Sequence, residues 1–146
     1  MSANFGHLFA SYLKHFFGVW NQPKRYQQLY NLIAEIRAKK IMEIGTWKGK
    51  RARLMIEEAK RHAPVADVSY FGFDLFETMS PAMLGEELSK QPPSLEAVQR
   101  ELSTTGAAVT LYKGNTKEVL PRVTPLLPVM DFIFIQQECI PRSQKG

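Results

Sequence analysis

The stretch KKIMEIGTWKGKRAR, residues 39–53, decides how the rest of the chain is interpreted. Its apolar run, KKIMEI, stops at Gly45 and predicts a β-strand. A short turn that ends at Gly49 follows, and KRARLMIEEAKRHA has the spacing of an amphipathic helix. The residues predicted to face a sheet from this helix are Leu54, Met55 and Ala59. Strand, glycine turn and helix in this order are typical of a parallel α/β sheet.

The alternation of strand and helix continues along the chain. Three further strands are predicted from VSYFGFD at 68–74, VTLYKG at 109–114 and MDFIFI at 130–135. Helix starts are predicted at Ser80, which precedes Pro81, and at Ser94 after a Pro-Pro break. Gly106 is predicted to end the second of these helices, and a short helix, TKEVLPRV, begins at Thr116. This order predicts an α/β fold with crossover helices on both faces of one sheet.

Two helices are predicted before the first strand. The opening helix carries an aromatic stripe at three- and four-residue steps, formed by Phe5, Leu8, Phe9, Tyr12, Leu13, Phe16 and Trp20. Such a stripe is typically core or a packing face, with a dimer contact or a cover over a ligand site as the alternatives. Pro23 interrupts the pattern, and RYQQLYNLIAEIRA predicts a second helix. Its inward residues are predicted to be Tyr26, Leu29, Tyr30 and Ile33.

Composition restricts the class of protein. The 146 residues are 45% hydrophobic and 23% charged, as expected for one globular domain. The net charge is +5, but basic residues alternate with acidic ones, so no nucleic-acid partner is predicted. One cysteine, Cys139, excludes an internal disulfide and favours a cytoplasmic location. No Cys/His cluster predicts a metal, and no segment resembles a signal peptide or a membrane span.

Three ligand classes compete for the turn after the first strand. A dinucleotide motif, G-x-G-x-x-G, would place Trp47 and Lys50 at two of its glycine positions, and the indole would occupy the pyrophosphate space. A nicotinamide-dependent oxidoreductase is therefore the less favoured interpretation. A phosphate-binding P-loop needs four residues between its glycines, whereas three separate Gly45 from Gly49. The remaining pattern is G-x-x-x-G preceded by an acidic residue.

That pattern carries a resemblance to a family. MEIGTWKG at 42–49 resembles the first motif of the class I S-adenosylmethionine-dependent methyltransferases. YFGFDLFE at 70–77 resembles their second-strand motif, and VTLYKGNTKEVLP at 109–121 their third-strand segment. The long helical insert with its PPSLEAV break is similar to the branch of macrocin-type O-methyltransferases and cephalosporin-tailoring enzymes. The resemblance implies a Rossmann-like parallel sheet that contains the first four strands of this fold.

The resemblance also implies a set of residues that bind S-adenosylmethionine: Glu43, Gly45, Thr46, Trp47, Gly49, Asp74, Leu75, Phe76 and Asn115. Glu43 would attract the ammonium, Asp74 would accept hydrogen bonds from the ribose hydroxyls, and Asn115 would contact the adenine. The turn would approach the methionyl part, and Leu75 and Phe76 would wall the base. Each residue has a purely structural alternative as a turn glycine, a solvent-facing strand end or a helix start.

Other residues in the same region are left without a catalytic role. A basic run lies at the N-terminus of a predicted helix and consists of Lys48, Lys50, Arg51 and Arg53. These side chains either form a solvated face or attract an acidic acceptor. Gln136 and Gln137 stand where the macrocin-type branch carries an acidic residue, so neither a general base nor a metal ligand is assigned. The histidines His7, His15 and His62 lie elsewhere in the sequence.

The predicted organisation is an N-terminal helical extension at 1–38, a partial Rossmann-like methyltransferase domain at 39–135 and a short polar tail at 136–146. Strand 130–135 is apolar on both faces, which predicts a truncated chain or a half-domain that needs a partner. The predicted function is methylation of a small-molecule oxygen, with activity uncertain for this chain alone. The alternative is a non-catalytic nucleotide-binding or interaction module, derived from such a domain, that forms homo-oligomers through the aromatic helix or the edge strand.

Overall fold

The computed structural model describes residues 3–78 and 93–136, and the environments of side chains from residue 7 onward within these ranges, excluding that of residue 78. The helix start predicted at Ser80 and Pro81 lies outside the described residues. So do Gln137, Cys139 and nearly all of the predicted polar tail.

Helices and strands alternate as the sequence predicts. The helices are α1 (Ala3–Trp20), α2 (Lys24–Ile36), α3 (Lys50–Lys60), α4 (Leu95–Ser103) and α5 (Thr116–Val123). The strands are β1 (Lys40–Ile44), β2 (Ser69–Asp74), β3 (Ala108–Lys113) and β4 (Phe132–Ile135). Ser94 caps α4 by accepting a hydrogen bond from the Ala97 N–H at 3.2 Å, so the predicted helix start is confirmed.

The four strands form one parallel sheet in the order β3-β2-β1-β4. In its register, Ile41 of β1 lies opposite Tyr70 of β2 and Phe132 of β4. The order places β1 and β2 at the centre, so the loops that follow them open at the same edge of the sheet. This edge is where parallel α/β folds bind their ligands.

Helices cover both faces of the sheet, as predicted. On one face, α2, α3 and α4 pack against alternate strand residues, including Ile41 and Tyr70. On the other, α5 packs with Val119 and Val123 against Met42 and Phe73. Because strand side chains alternate between faces, Glu43 shares the face of Ile41 and points into the α3 layer.

The aromatic stripe of α1 is not core, which corrects the preferred interpretation of its pattern. The described members of the stripe include strongly exposed side chains, among them Leu8 at 70%, Phe9 at 58% and Trp20 at 66%. Tyr12, Phe16 and Trp20 also line a cavity of about 340 Å³ between α1, α2 and α3. The described residues of α1 that are buried or partly buried are Leu13, His15, Gly18 and Val19, and of these only Leu13 belongs to the stripe.

A buried charged cluster attaches α1 to α3. His15 Nε2 lies 2.6 Å from Glu58 Oε2, and both side chains are less than a tenth exposed. Glu58 also contacts His62 at 3.2 Å and Arg61 at 3.3 Å. Burial acts to raise the pKa of Glu58, but the hydrogen bonds from His15 and His62 and the charge of Arg61 outweigh it, so the pKa lies below its ordinary value.

Glu58→Gln is expected to lower the free energy of unfolding by about 1 kcal/mol at neutral pH. A depressed pKa stabilises the folded state above the unfolded-state pKa, and this contribution disappears as the pH falls through the folded-state pKa. Urea unfolding from neutral pH to about pH 3 should therefore show the variant and the parent converging at the acidic end. The matched control is Glu57→Gln on the same helix, where, among the described residues, the carboxylate pairs only with Lys60. Equal losses in both variants would contradict the prediction.

Strand β4 is the last strand of the described sheet and pairs with β1 alone. Phe132 is buried, whereas Ile133 and Ile135 are 52% and 61% exposed. Within the described ranges, no helix combines the length and the apolar character that a membrane crossing requires.

Candidate functional site

The turn between β1 and α3 is built around two glycines in the left-handed region. Gly45 has φ 95° and Gly49 has φ 75°. A Cβ on Gly45 would lie 3.0 Å from the Gln136 Cβ, and one on Gly49 would lie 3.1 Å from Val98 Cγ1. Both positions therefore need glycine for backbone conformation and for space.

Trp47 lies at the tip of this turn with φ 47°, a strained conformation for a bulky residue. Its ring is 43% exposed, and Lys48 Nζ lies 4.7 Å from the ring centroid. The Trp47 N–H donates to Asp74 Oδ2 at 2.6 Å, which ties the turn after β1 to the end of β2. This hydrogen bond offsets part of the strain and fixes the shape of the turn.

Asp74 organises two loops through one carboxylate. Oδ2 accepts from Trp47, and Oδ1 accepts from the N–H groups of Leu75 at 2.7 Å and Phe76 at 3.4 Å. The side chain is only partly buried. Since each carboxylate oxygen has two lone pairs, one acceptor position remains on Oδ2, and the long contact from Phe76 leaves the second position on Oδ1 weakly held. The structural role and the predicted ribose contact are thus compatible.

Glu43 is the buried centre of a hydrogen-bonded network. Its side chain has no exposed surface, and its two oxygens accept from Arg51 Nε at 2.6 Å and from the Tyr70 hydroxyl at 2.5 Å. The Tyr70 oxygen in turn lies 3.1 Å from Thr46 Oγ1. Burial raises the pKa of Glu43, while Arg51 and Tyr70 act in the opposite direction. Glu43 is therefore neither the solvent-facing strand end nor a carboxylate open to a ligand in this conformation.

Arg51 connects the network to the surface of the site. Its guanidinium lies between two aromatic rings, 5.0 Å from the centroid of Tyr26 and 4.8 Å from that of Phe134. Nη2 donates to Gln136 Oε1 at 2.5 Å and contacts the Gly45 carbonyl at 3.4 Å. One member of the basic run is thus held inside the site rather than on a solvated face. Another, Arg53, bonds to α4 through Glu101.

The remaining predicted residues lie around the ends of β2 and β3. Leu75 is half-buried, whereas Phe76 is fully buried in the core and supports the loop from beneath. Asn115 is exposed and caps α5, accepting from the Lys117 N–H at 3.0 Å. The Gly114 N–H donates to the Asp74 carbonyl, so the end of β3 lies beside the end of β2. The roles of Leu75, Phe76 and Asn115 toward adenine stay predictions.

Arg51, Tyr70 and Gly72 are site residues that the sequence did not reveal as such. A Cβ on Gly72 would lie 2.5 Å from Thr46 Oγ1, so this glycine makes room for the turn. The available signal was the period of the two strands: Glu43, Tyr70 and Gly72 all fall on the face that packs against α3. Arg51 lies on the first turn of that helix.

S-adenosylmethionine fits part of this arrangement directly. The glycine turn and the partly exposed carboxylate of Asp74 lie together at the carboxyl edge of the sheet, as a nucleoside requires. In the part of the chain that the structure describes, no side chain caps the N-terminus of α3, which leaves backbone donors for an anionic group. Glu43 fits the ammonium only after Arg51 has moved.

Two solved structures, one of them an O-methyltransferase, share this architecture. The O-methyltransferase TomG from Streptomyces achromogenes, involved in tomaymycin synthesis and solved in complex with SAM, superposes with a TM-score of 0.54 at 18% identity. The alignment covers 80% of this chain and 44% of TomG. Cofactor-bound Rv0187 from MTB gives a TM-score of 0.50 at 19% identity, over 88% of this chain and 51% of that protein.

These similarities establish the Rossmann-like α/β fold of methyltransferases for this chain, which confirms the predicted fold class. The chain spans about half the length of these structures or less. The sequence matches no protein-family model and no curated protein.

Proposed function

We propose that this chain carries the cofactor-binding part of an S-adenosylmethionine-dependent methyltransferase that methylates an oxygen of a small molecule. The observation that carries the proposal is the contact between Asp74, at the end of β2, and the Trp47 N–H in the glycine turn after β1. This contact places a partly exposed carboxylate beside that turn, at the edge of the sheet where parallel α/β folds bind nucleotides. The fold shared with TomG supports the same conclusion.

Each group at this edge has a defined part in binding. Asp74 accepts hydrogen bonds from the two ribose hydroxyls while keeping those from Trp47 and Leu75 and giving up the 3.4 Å contact from Phe76. The turn from Gly45 to Gly49 approaches the methionyl part, and Asn115 lies beside the adenine. The bound cofactor supplies a methyl group activated by a sulfonium. The protein aligns this group with the acceptor oxygen, and proximity provides most of the rate enhancement.

The acceptor pocket is proposed to need structure beyond β4. The chain covers 44% of TomG, and the described residues provide four strands and no assigned general base. The exposed Ile133 and Ile135 offer an apolar edge for such structure, supplied by the same polypeptide or by a partner. The long insert between β2 and β3 supports a place in the macrocin-type and cephalosporin-tailoring branch.

Calorimetric titration with S-adenosylmethionine is the direct test. We expect binding by the parent chain and a loss of roughly tenfold to a hundredfold in affinity in Asp74→Ala, since a charged acceptor of two hydroxyl groups is removed. Asp74→Asn keeps an acceptor for Trp47, so it separates the ligand contact from the turn. Asp74→Asn should retain the fold and still bind S-adenosylmethionine more weakly than the parent chain.

The ribose assignment has its own control. 5′-Methylthioadenosine keeps the nucleoside and lacks the amino-acid group, so Asp74→Ala should weaken both ligands by the same factor. Asp131→Ala removes a carboxylate at the opposite edge of the sheet, where it accepts from the N–H groups of Lys39 and Lys40, and should leave both affinities unchanged. A folded parent chain that binds neither ligand would overturn the proposed function.

The alternative function is a non-catalytic module that associates through apolar surfaces. The exposed side chains of α1, including Phe9 and Trp20, favour it, as do Ile133 and Ile135 on β4. Phe132 is buried and belongs to the core, so it is unsuitable for testing such a surface. Because a module of this kind can keep the nucleotide pocket, its test is association: a mass that rises with protein concentration, and that polar substitutions at Ile133 and Ile135 abolish in a folded chain, would support it.

A further inference from the structure

The ion pair between Glu43 and Arg51 occupies the place where the amino-acid group of the cofactor is proposed to bind. The two side chains are joined at 2.6 Å beside the Gly45 turn, with Glu43 fully buried and Arg51 14% exposed. A ligand ammonium cannot reach Glu43 while Arg51 covers it. The binding of an amino-acid group must therefore involve Arg51.

We propose that Arg51 binds the carboxylate of the cofactor's amino-acid group and, by moving to it, releases Glu43 for the ammonium. The inference rests on the proposed function and concerns this arginine alone. The internal ion pair is exchanged for two external ones, and no buried charge is left without a partner. Arg51 thereby becomes the residue that selects ligands with a complete amino-acid group.

The surroundings of Arg51 suit such an exchange. Its guanidinium is held between the faces of Tyr26 and Phe134, which attract a cation without bonding to its N–H groups. Among the described residues, Nε contacts Glu43, Nη2 contacts Gln136 and Gly45, and Nη1 has no hydrogen-bond partner. A planar guanidinium with free donors matches a carboxylate in a bidentate geometry.

The N-terminus of α3 adds to the attraction for a carboxylate. Arg51 is the second residue of this helix, and no side chain from residues 3–78 or 93–136 caps the turn in which it lies. The first N–H groups of the helix and the positive end of its dipole thus face the same region as the guanidinium. Backbone donors and the Arg51 guanidinium at one point form a site for an anionic group.

The affinity of the chain for ligands with incomplete amino-acid groups should follow a defined order. Decarboxylated S-adenosylmethionine keeps the amine but lacks the carboxylate, so its binding to Glu43 displaces Arg51 without offering it a new partner. 5′-Methylthioadenosine lacks both groups and leaves the internal pair intact. The parent chain should therefore prefer S-adenosylmethionine to the decarboxylated form by about tenfold or more.

Calorimetric titration of Arg51→Gln with the three ligands tests the assignment. The preference for S-adenosylmethionine over its decarboxylated form should fall at least about tenfold, because Glu43 becomes accessible and the carboxylate loses its partner. Affinity for 5′-methylthioadenosine should stay within about twofold, a change of roughly 0.4 kcal/mol. Lys50→Gln removes the same charge from the neighbouring exposed position and should leave the preference unchanged.

A double variant without buried charges is the control for the case in which Arg51→Gln does not fold. Glu43→Gln/Arg51→Gln retains packing without leaving a buried charge, and it should bind S-adenosylmethionine no better than 5′-methylthioadenosine. If Arg51 only stabilises the fold, its substitution moves all three affinities together, and the inference is overturned while the proposed function stands. If 5′-methylthioadenosine and S-adenosylmethionine both fail to bind the folded parent chain, both are overturned.

Discussion

Arg51→Met is expected to lower the free energy of unfolding by about 3–5 kcal/mol. Methionine fills much of the space between the rings of Tyr26 and Phe134 but leaves Glu43 as a fully buried carboxylate without its cation. The hydrogen bond from Tyr70 remains and does not neutralise the charge. Urea unfolding at neutral pH, followed by circular dichroism, measures the loss.

The pH dependence identifies the cause of that loss. Burial already raises the pKa of Glu43, and removing Arg51 removes the largest opposing effect. An acid whose folded-state pKa exceeds its unfolded-state value stabilises the fold as it becomes protonated, so the loss should shrink as the pH is lowered from about 8 to about 5. Glu43→Gln/Arg51→Met is the control, with no carboxylate to titrate and most of the stability restored. If the single and double variants lose the same free energy, the loss arises from packing alone.

Gly72→Ala should lower the free energy of unfolding by about 3 kcal/mol, the upper end of the usual penalty for overpacking. The new methyl group would lie 2.5 Å from Thr46 Oγ1, 2.7 Å from Leu111 Cδ2 and 2.9 Å from Tyr70 Cε1. Leu111 can change rotamer, but Thr46 and Tyr70 are hydrogen-bonded to each other and Tyr70 also to Glu43. The same clash displaces the turn, so affinity for S-adenosylmethionine should fall as well. Thermal unfolding and titration of one sample measure both effects.

Gly18→Ala provides the matched substitution for comparison. Its Cβ would meet one atom, Leu54 Cδ2 at 3.0 Å, at the flexible end of a side chain. Alanine also gains up to about 1 kcal/mol in helix propensity over glycine, which offsets that contact. A stability change near zero in Gly18→Ala and a large loss in Gly72→Ala would locate the cost in the contact with Thr46 and Tyr70. Similar changes in both would contradict the assignment.

Elements with a regular local pattern were predictable from the sequence. The four strands follow from short apolar runs bounded by turn residues, and the turn at Gly45 and Gly49 follows from the need for positive φ. The start of α4 at Ser94 follows from the capping preference of serine. The aromatic stripe of α1 correctly predicted a helix, but the prediction that the stripe is buried was wrong. Periodicity identifies an apolar face without showing whether another element covers it.

The residues of the candidate site also fall into those that a local sequence pattern predicts and those that it does not. The sequence by itself determined the order of strands and helices, the glycine turn and the placement of Asp74 at a strand end, since these depend on neighbouring residues. Only the tertiary structure decided that Arg51 pairs with Glu43 and that Gly72 makes room for Thr46. Gly72 meets Thr46 only when β2 pairs with β1, and Glu43 meets Arg51, eight residues further on, only when α3 folds back onto the sheet. The cost of leaving a buried charge unpaired then determines which partners must come together.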